Sequence, residues 1–292
     1  MCRKGTKQLT SGNARNLDPR WGPGGRIVYS SSLHARSEIG AVKGSVYRAL
    51  TPGPWLDSDP AWSRDGRRLA FVRSARPGKS DIFVADANGK GQRNLTRGRA
   101  LNWGPVWSSR ANTIAFVRFE GFGAQIWAMR PDGTGAKALT SIGSWNDHPS
   151  WSPDGRRLVY SAKRHGTTDL YLLDLQTRLE RRLTRTRQVE LDPAWSPDNK
   201  WIAFASPDAG SASMAIFVVR PDGTARAKIT QGNNDKGDPS WSPDGKHILY
   251  DEDYFLGHDI DVGYVTLGGN PALSWVSNLP WAEHSAAWQP RS

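Results

Sequence analysis

An all-β fold of repeated four-stranded antiparallel sheets is what this 292-residue sequence predicts, on three observations. Tryptophans in matching surroundings recur at Trp21, Trp62, Trp107, Trp151, Trp195, Trp241 and Trp288, at intervals of 41, 45, 44, 44, 46 and 47 residues. Two tight-turn sequences, Ser-Pro-Asp-Gly and Pro-Asp-Gly-Thr, return at fixed offsets from them. Between the turns lie short runs rich in β-branched and aromatic residues, with no helical periodicity. A period of about 40–50 residues marks a repeat architecture, and the content of each unit decides which one.

Each unit opens on its anchor tryptophan. Asp59-Pro-Ala-Trp-Ser-Arg-Asp-Gly66 returns as His148-Pro-Ser-Trp-Ser-Pro-Asp-Gly155, as Asp192-Pro-Ala-Trp-Ser-Pro-Asp-Asn199 and as Asp238-Pro-Ser-Trp-Ser-Pro-Asp-Gly245. Proline presets φ and glycine accepts positive φ, so the chain reverses tightly after the first strand. The second strand follows as Arg68-Leu-Ala-Phe-Val72, Thr113-Ile-Ala-Phe-Val117, Arg157-Leu-Val-Tyr160, Trp201-Ile-Ala-Phe204 and His247-Ile-Leu-Tyr250. After a polar loop comes the third: Asp81-Ile-Phe-Val-Ala85, Gln125-Ile-Trp-Ala-Met129, Asp169-Leu-Tyr-Leu-Leu173 and Ala215-Ile-Phe-Val-Val219. A second turn, Pro131-Asp-Gly-Thr134 or Pro221-Asp-Gly-Thr224, leads to a short fourth strand ending in Leu95-Thr96, Leu139-Thr140, Leu183-Thr184 or Ile229-Thr230. Such a sheet has two faces to bury and no core of its own, so neighbours must stack; radial stacking gives a β-propeller. The anchor tryptophans are then expected between blades.

The repeated Asp/His-Pro-x-Trp-Ser-Pro-Asp-Gly, followed by Leu/Ile-Ala-Phe, resembles the PD40 repeat of TolB-like propellers, from about Leu9 to Trp288. No Trp-Asp dipeptide, a landmark of WD40 repeats, occurs. Trp21-Gly-Pro-Gly-Gly25 and Trp107-Ser-Ser-Arg-Ala111 are degenerate copies. The expected architecture is a single domain over 1–292, with six complete repeats over about 18–278 and terminal fragments at 4–10 and 281–288. Six blades is the expectation and seven the alternative; either the fragments meet and close the ring, or the first unit began further upstream. Similar repeats occur in envelope scaffolds, in propellers attached to serine peptidases and in some carbohydrate lyases. The resemblance therefore implies a fold more narrowly than a function.

Composition bounds the rest. The net charge is +11, with 14 tryptophans and one cysteine, so a disulfide scaffold is excluded. No run of about 18 apolar residues is present for a membrane-spanning helix. Residues 1–30 lack the apolar stretch of a secretory signal, whereas the resemblance implies a periplasmic or extracellular protein, and the compartment stays open. The positive charge favours an acidic partner. It forms no stripe or recognition helix, so specific nucleic-acid readout is not expected. A monomer is.

The turns after the first and third strands are tight, which makes the opposite face, with its longer loops over 32–37, 73–80, 118–123, 162–168 and 206–213, the expected binding face. Its candidates are Trp55, Arg73, Arg76, Arg99, Trp103, Trp145, His148, Arg164, Arg187 and Trp281, because exposed Arg and Trp dominate interfaces. The plainer alternative is a solvated rim with tryptophans packed on the next blade. Asp18, Asp59, Asp192 and Asp238, with His148 at the matching place, precede the first-strand proline, which normally lines the tunnel in propellers. Asp59, Asp192 and Asp238 are the metal candidates, for a hard cation such as Ca2+; turn capping is the competing role.

Asp251, Glu252, Asp253, Asp259 and Asp261 with His258 fail the EF-hand spacing at Phe255 and read as a solvated acidic loop. Gly78-Lys79-Ser80 matches only the end of a P-loop, and no Gly-x-Ser-x-Gly, His-Glu-x-x-His or Cys-x-x-Cys occurs. The six histidines, His34, His148, His165, His247, His258 and His284, are scattered over different units, so no catalytic residue is nominated. The expected function is a non-enzymatic propeller binding a protein, peptide or other ligand. The alternatives are a metal-dependent carbohydrate-active enzyme, a lyase or hydrolase, or the propeller of a larger peptidase or envelope protein.

Overall fold

Strand pairing follows the repeat. The computed structural model describes residues 15–267 apart from 34–35, 44–45, 77, 99, 111, 142–143, 165, 209–212, 231–234 and 254–259. Arg99, Trp281, Trp288, four of the histidines and the fragments at 4–10 and 281–288 lie outside the described residues. The first unit comprises Arg15–Trp21, Ile27–Leu33, Arg36–Lys43 and Val46–Ala49. The second comprises Leu56–Trp62, Arg68–Arg76, Lys79–Asp86 and Arg93–Asn94, and the third Asn102–Trp107, Ile114–Glu120, Gly123–Met129 and Lys137–Ala138. Trp145–Trp151, Arg157–Arg164, Thr167–Asp174 and Glu180–Arg182 make the fourth; Leu191–Trp195, Ile202–Pro207, Met214–Val219 and Ala227–Lys228 the fifth. Of the sixth, Asp235–Trp241, His247–Asp253 and Ile260–Thr266 are described. Neighbouring strands within a unit are antiparallel, and the one helical segment among the described residues is a 3-10 turn at Pro23–Gly25.

The core lies in the seams between units. One apolar cluster joins each unit to the next, for example Val159, Leu170, Leu172 and Leu183 against Trp195, Ile202, Phe204 and Phe217. Another sets Ile27, Tyr29 and Val42 of the first unit against Leu249 and Tyr264 of the sixth. The six described anchor tryptophans all sit in these seams, as expected of large aromatic area between two sheets. Three of them donate the indole N–H to a carbonyl of the preceding unit's first strand: Trp107 to Ala61 (3.0 Å), Trp151 to Val106 (3.3 Å) and Trp241 to Ala194 (3.0 Å). First strands contact one another in sequence order, and that of the sixth unit contacts that of the first.

The loops of the expected binding face are shorter than the sequence suggested. Pairing between second and third strands continues to Arg76↔Lys79, Glu120↔Gly123 and Arg164↔Thr167, and Gly78, Gly121 and Gly166 at φ of 73°, 60° and 82° close the hairpins. Arg73, Arg76 and Arg164 therefore stand on strands, and Trp103 and Trp145 on first strands, not on connections.

Candidate functional site: a central ring beside an aromatic mouth

Every first strand breaks register at one place. The breaks fall around Asp18, Asp59, Gly104, His148, Asp192 and Asp238, and all six residues have positive φ, from 46° to 57°. Gly tolerates this region freely, and Asp and His enter it more readily than bulky residues do. The following proline disfavours a right-handed helical conformation, so the bulge is written into the Asp/His/Gly-Pro pair. Its effect is to bring the matching position of each unit to the centre, an aspartate in four units, His148 in the fourth and the bare Gly104 in the third.

The gathered groups bond around the ring. The amide of Asp59 donates to Asp18 (3.4 Å), that of Gly104 to Asp59 (3.0 Å) and that of Asp238 to Asp192 (3.5 Å). Arg20 of the first unit reaches across to the sixth, placing Nη2 3.2 Å from Asp238 Oδ1. His148 Nε2 lies 3.2 Å from Asp192 Oδ1 and Nδ1 lies 3.5 Å from Asp147. Asp251 joins the cluster from the second strand of the sixth unit: a Cβ on Gly237 would come within 2.9 Å of its carboxylate, so glycine there makes the room.

Charge crowding shows in the proton affinities. Burial pushes Asp251 up to about 7, helped by Asp238 and Asp192 and opposed by Arg20. Burial likewise raises Asp192 to about 6, with His148 pulling the other way. Asp18 and Asp59 are also raised, chiefly by burial. Burial works against charge on His148, but Asp192, Asp147, Asp238 and Asp59 outweigh it and lift the imidazole to about 9. The ring reaches solvent at His148, which keeps 38% of its side-chain surface exposed.

Of the expected metal set, Asp192 and Asp238 are gathered with His148, one donor atom from each lying within 4.8 Å of the others. Asp59 stands outside that trio, its carboxylate turned to the Gly104 amide. The acidic stretch read as a solvated loop is corrected here. Asp251 and Glu252 lie on the strand His247–Asp253, with Asp251 in the central cluster and Glu252 2.9 Å from the buried Lys236. Strand alternation turns successive residues to opposite faces, and that separates the two.

The basic rim also changes. Arg73 is buried and grips Asp57 with two bonds of 2.7 Å while lying over Phe71, Phe83 and Trp55. Arg164 is bound to Glu180 and Asn146 and stacks on Tyr171. Arg76 and Arg187 remain exposed, so the case for an acidic partner rests on fewer charges than the sequence offered. Trp103 and Trp145 do come together, 6.1 Å between ring centroids, with Phe119 6.0 Å from Trp145. Both indoles donate to Asp147, at 2.8 and 3.2 Å, and Asp147 also accepts the amide of His148. Asp147 thus ties this aromatic mouth to the ring, a role that sequence reading missed.

Comparison with known proteins agrees with this architecture. The sequence profile of PD40, described as the TolB beta propeller domain, matches residues 2–140 and 81–263. A protein TolB homolog of Chlorobium luteolum is 33% identical over 158 residues, 53% of this chain and 35% of the relative. The chain covers between 14% and 35% of the length of the curated relatives it matches. Among solved structures, a putative TolB from Agrobacterium tumefaciens superposes with a TM-score of 0.67 at 25% identity, over 77% of this chain and 82% of that one. An oligogalacturonate lyase in complex with manganese gives 0.66 at 18% identity, over 90% and 80%, a likeness of fold alone. No helix among the described residues is long and apolar enough to cross a membrane.

Proposed function

The chain belongs to the TolB beta propeller (PD40) family, and from that premise we propose a closed six-bladed propeller that works as a binding scaffold, not an enzyme. Its site is the central ring together with the mouth at Trp103 and Trp145. The apolar seam between the sixth and first units and the Arg20–Asp238 bond across it support closure. One observation carries the site: of six bulges at one register, five aim an aspartate or histidine at a common centre, and two tryptophans are bonded to that centre through Asp147. An architecture needing only turn caps has no use for gathering five carboxylates at one centre, where burial and mutual repulsion raise the proton affinities of Asp18, Asp59, Asp192 and Asp251. The scaffold's expected setting is the cell envelope, with a protein or peptide partner and a monomeric chain; the TolB homologues among its relatives support the envelope and the protein partner.

A photo-crosslinker tests the face. With p-benzoylphenylalanine at position 122, where Phe122 is fully exposed beside the mouth, adducts form in whole-cell extract; at position 132, on the opposite turn, they do not. Adducts from position 132 alone, or from neither, overturn the assignment.

The His148, Asp192 and Asp238 trio favours a second reading, a metal-dependent carbohydrate-active enzyme. An imidazole with carboxylates suits Mn2+ or another first-row ion better than Ca2+, which takes oxygen ligands. Such an ion would act as a Lewis acid on a bound substrate. Added Mn2+ then raises the melting temperature of metal-stripped protein, and His148→Ala abolishes the rise; no shift with Mn2+ or Ca2+ removes this reading.

A further inference from the structure

We propose that the mouth takes an extended peptide carrying a single lysine or arginine, whose stem lies across Trp103 and Trp145 and whose charged head enters the central ring. The inference rests on the binding reading above and adds the chemistry of the partner.

Charge sets the sign of the head group. Among the described residues, Asp18, Asp59, Asp192, Asp238 and Asp251 face one another around two cations, Arg20 and His148. Arg20 shows how a guanidinium sits there, with Nη2 on the Asp238 carboxylate at 3.2 Å and Nη1 on the Asp238 carbonyl at 3.4 Å. That cation enters from the first unit against the sixth.

The ring is open on the side of the third unit. Gly104 stands where four other units place an aspartate, and a Cβ there would meet nothing nearer than Val117 at 3.8 Å. The residue before it is Trp103, so the gap adjoins the aromatic pair. Because both indole N–H groups are held by Asp147, what the pair offers a ligand is ring surface, the natural contact for the methylene stem and cation of a lysine or arginine. Trp145 is 43% exposed, and Phe122 stands in full solvent two residues before Ala124, which pairs with Trp145. The apolar strip therefore continues outward from the gap, as an extended segment needs.

The surroundings limit the partner to one cation. Arg76 and Arg187 are exposed on the same face, farther out, and favour neutral or acidic residues on either side of the cationic one. A polybasic chain would meet repulsion at the rim.

The test uses the whole chain and blocked pentapeptides Gly-Ser-X-Ser-Gly, with X arginine, lysine, citrulline or glutamate, read by calorimetry and tryptophan fluorescence. Arginine and lysine peptides bind at least about tenfold more tightly than the neutral citrulline peptide, the glutamate peptide does not bind, and fluorescence changes on binding. Trp145→Ala loses about tenfold while Trp145→Phe retains most of the affinity, and circular dichroism confirms that both fold. Equal binding of the arginine and citrulline peptides, or preference for glutamate, overturns the proposal, as does tight binding of oligogalacturonate in their place. If position 122 still crosslinks while the identity of X is immaterial, the site stands and its cationic chemistry falls; if position 122 gives no adduct, the binding reading itself falls.

Discussion

Arg73 spends its whole guanidinium inside the protein. Its partner Asp57 has no exposed surface, and the two share bonds of 2.7 Å above a stacked Phe71–Phe83 pair. The residue two before the ring position is buried and polar in five units: Asp57, Asn102, Asn146, Glu190 and Lys236. Each faces an opposite or complementary group: Arg73, Arg118, Arg164, Arg226 and Glu252 respectively. Removing one member of such a pair strands a charge in the interior, which costs about 3–5 kcal/mol, whereas replacing both by apolar residues is often neutral. Arg73→Met is expected to lower the unfolding free energy by about that much in urea titrations, and Asp57→Leu/Arg73→Met to recover most of the loss. Equal stability of Arg73→Met and the parent would show that Asp57 finds water or another partner.

At the scale of the strand, local sequence explains a great deal. The Leu-Thr or Ile-Thr that ends each of the first five units has a bonding role: Thr51, Thr96, Thr140, Thr184 and Thr230 accept the amides of Ile39, Ile82, Ile126, Leu170 and Ile216. The Ser-x-Asp of the first turn also repeats as a bond, for instance from Ser63 to Asp65 at 2.7 Å and from Ser196 to Asp198 at 2.6 Å. These features were legible because their partners are fixed by short-range geometry or by strict repetition. The ring was mostly legible for the same reason: the Asp-Pro spacing marked Asp18, Asp59, Asp192 and Asp238, and His148 by substitution. Asp251 was not, since it enters from a second strand and only in the sixth unit. Nor were the buried cations. Arg73 meets Asp57 from 16 positions away, whereas Arg226, just ahead of a fourth strand, reaches Glu190 from 36 positions on, so no single spacing announces the set.

Over the whole molecule, charge is divided by place: +11 in total, yet a centre where carboxylates outnumber cations. That division couples the fold to protons. Asp192 near 6, Asp251 near 7 and His148 near 9 all hold their protons more strongly folded than their ordinary values of 3.8, 3.8 and 6.5 allow in an unfolded chain. A raised folded pKa stabilises fully below the unfolded value, and the benefit fades as pH climbs through the folded one. The carboxylates therefore lose their contribution between about pH 4 and 7 and His148 between about 6.5 and 9, so stability declines as pH rises from 5 to 9. His247, held below its ordinary value chiefly by burial, works in the opposite direction. Aspartates held low by turn bonds, such as Asp65 and Asp132, lose their benefit only in acid, below this window. Thermal unfolding should thus give a falling melting temperature from pH 5 to 9, by about 2–4 °C for each kcal/mol lost in a domain of roughly this size. Asp251→Asn keeps the shape, removes a proton-binding group, and should flatten the part of the curve below about pH 7. A melting temperature that is level or rises across the window would mean that the central carboxylates are neutralised by something other than protons, and would return attention to a bound cation.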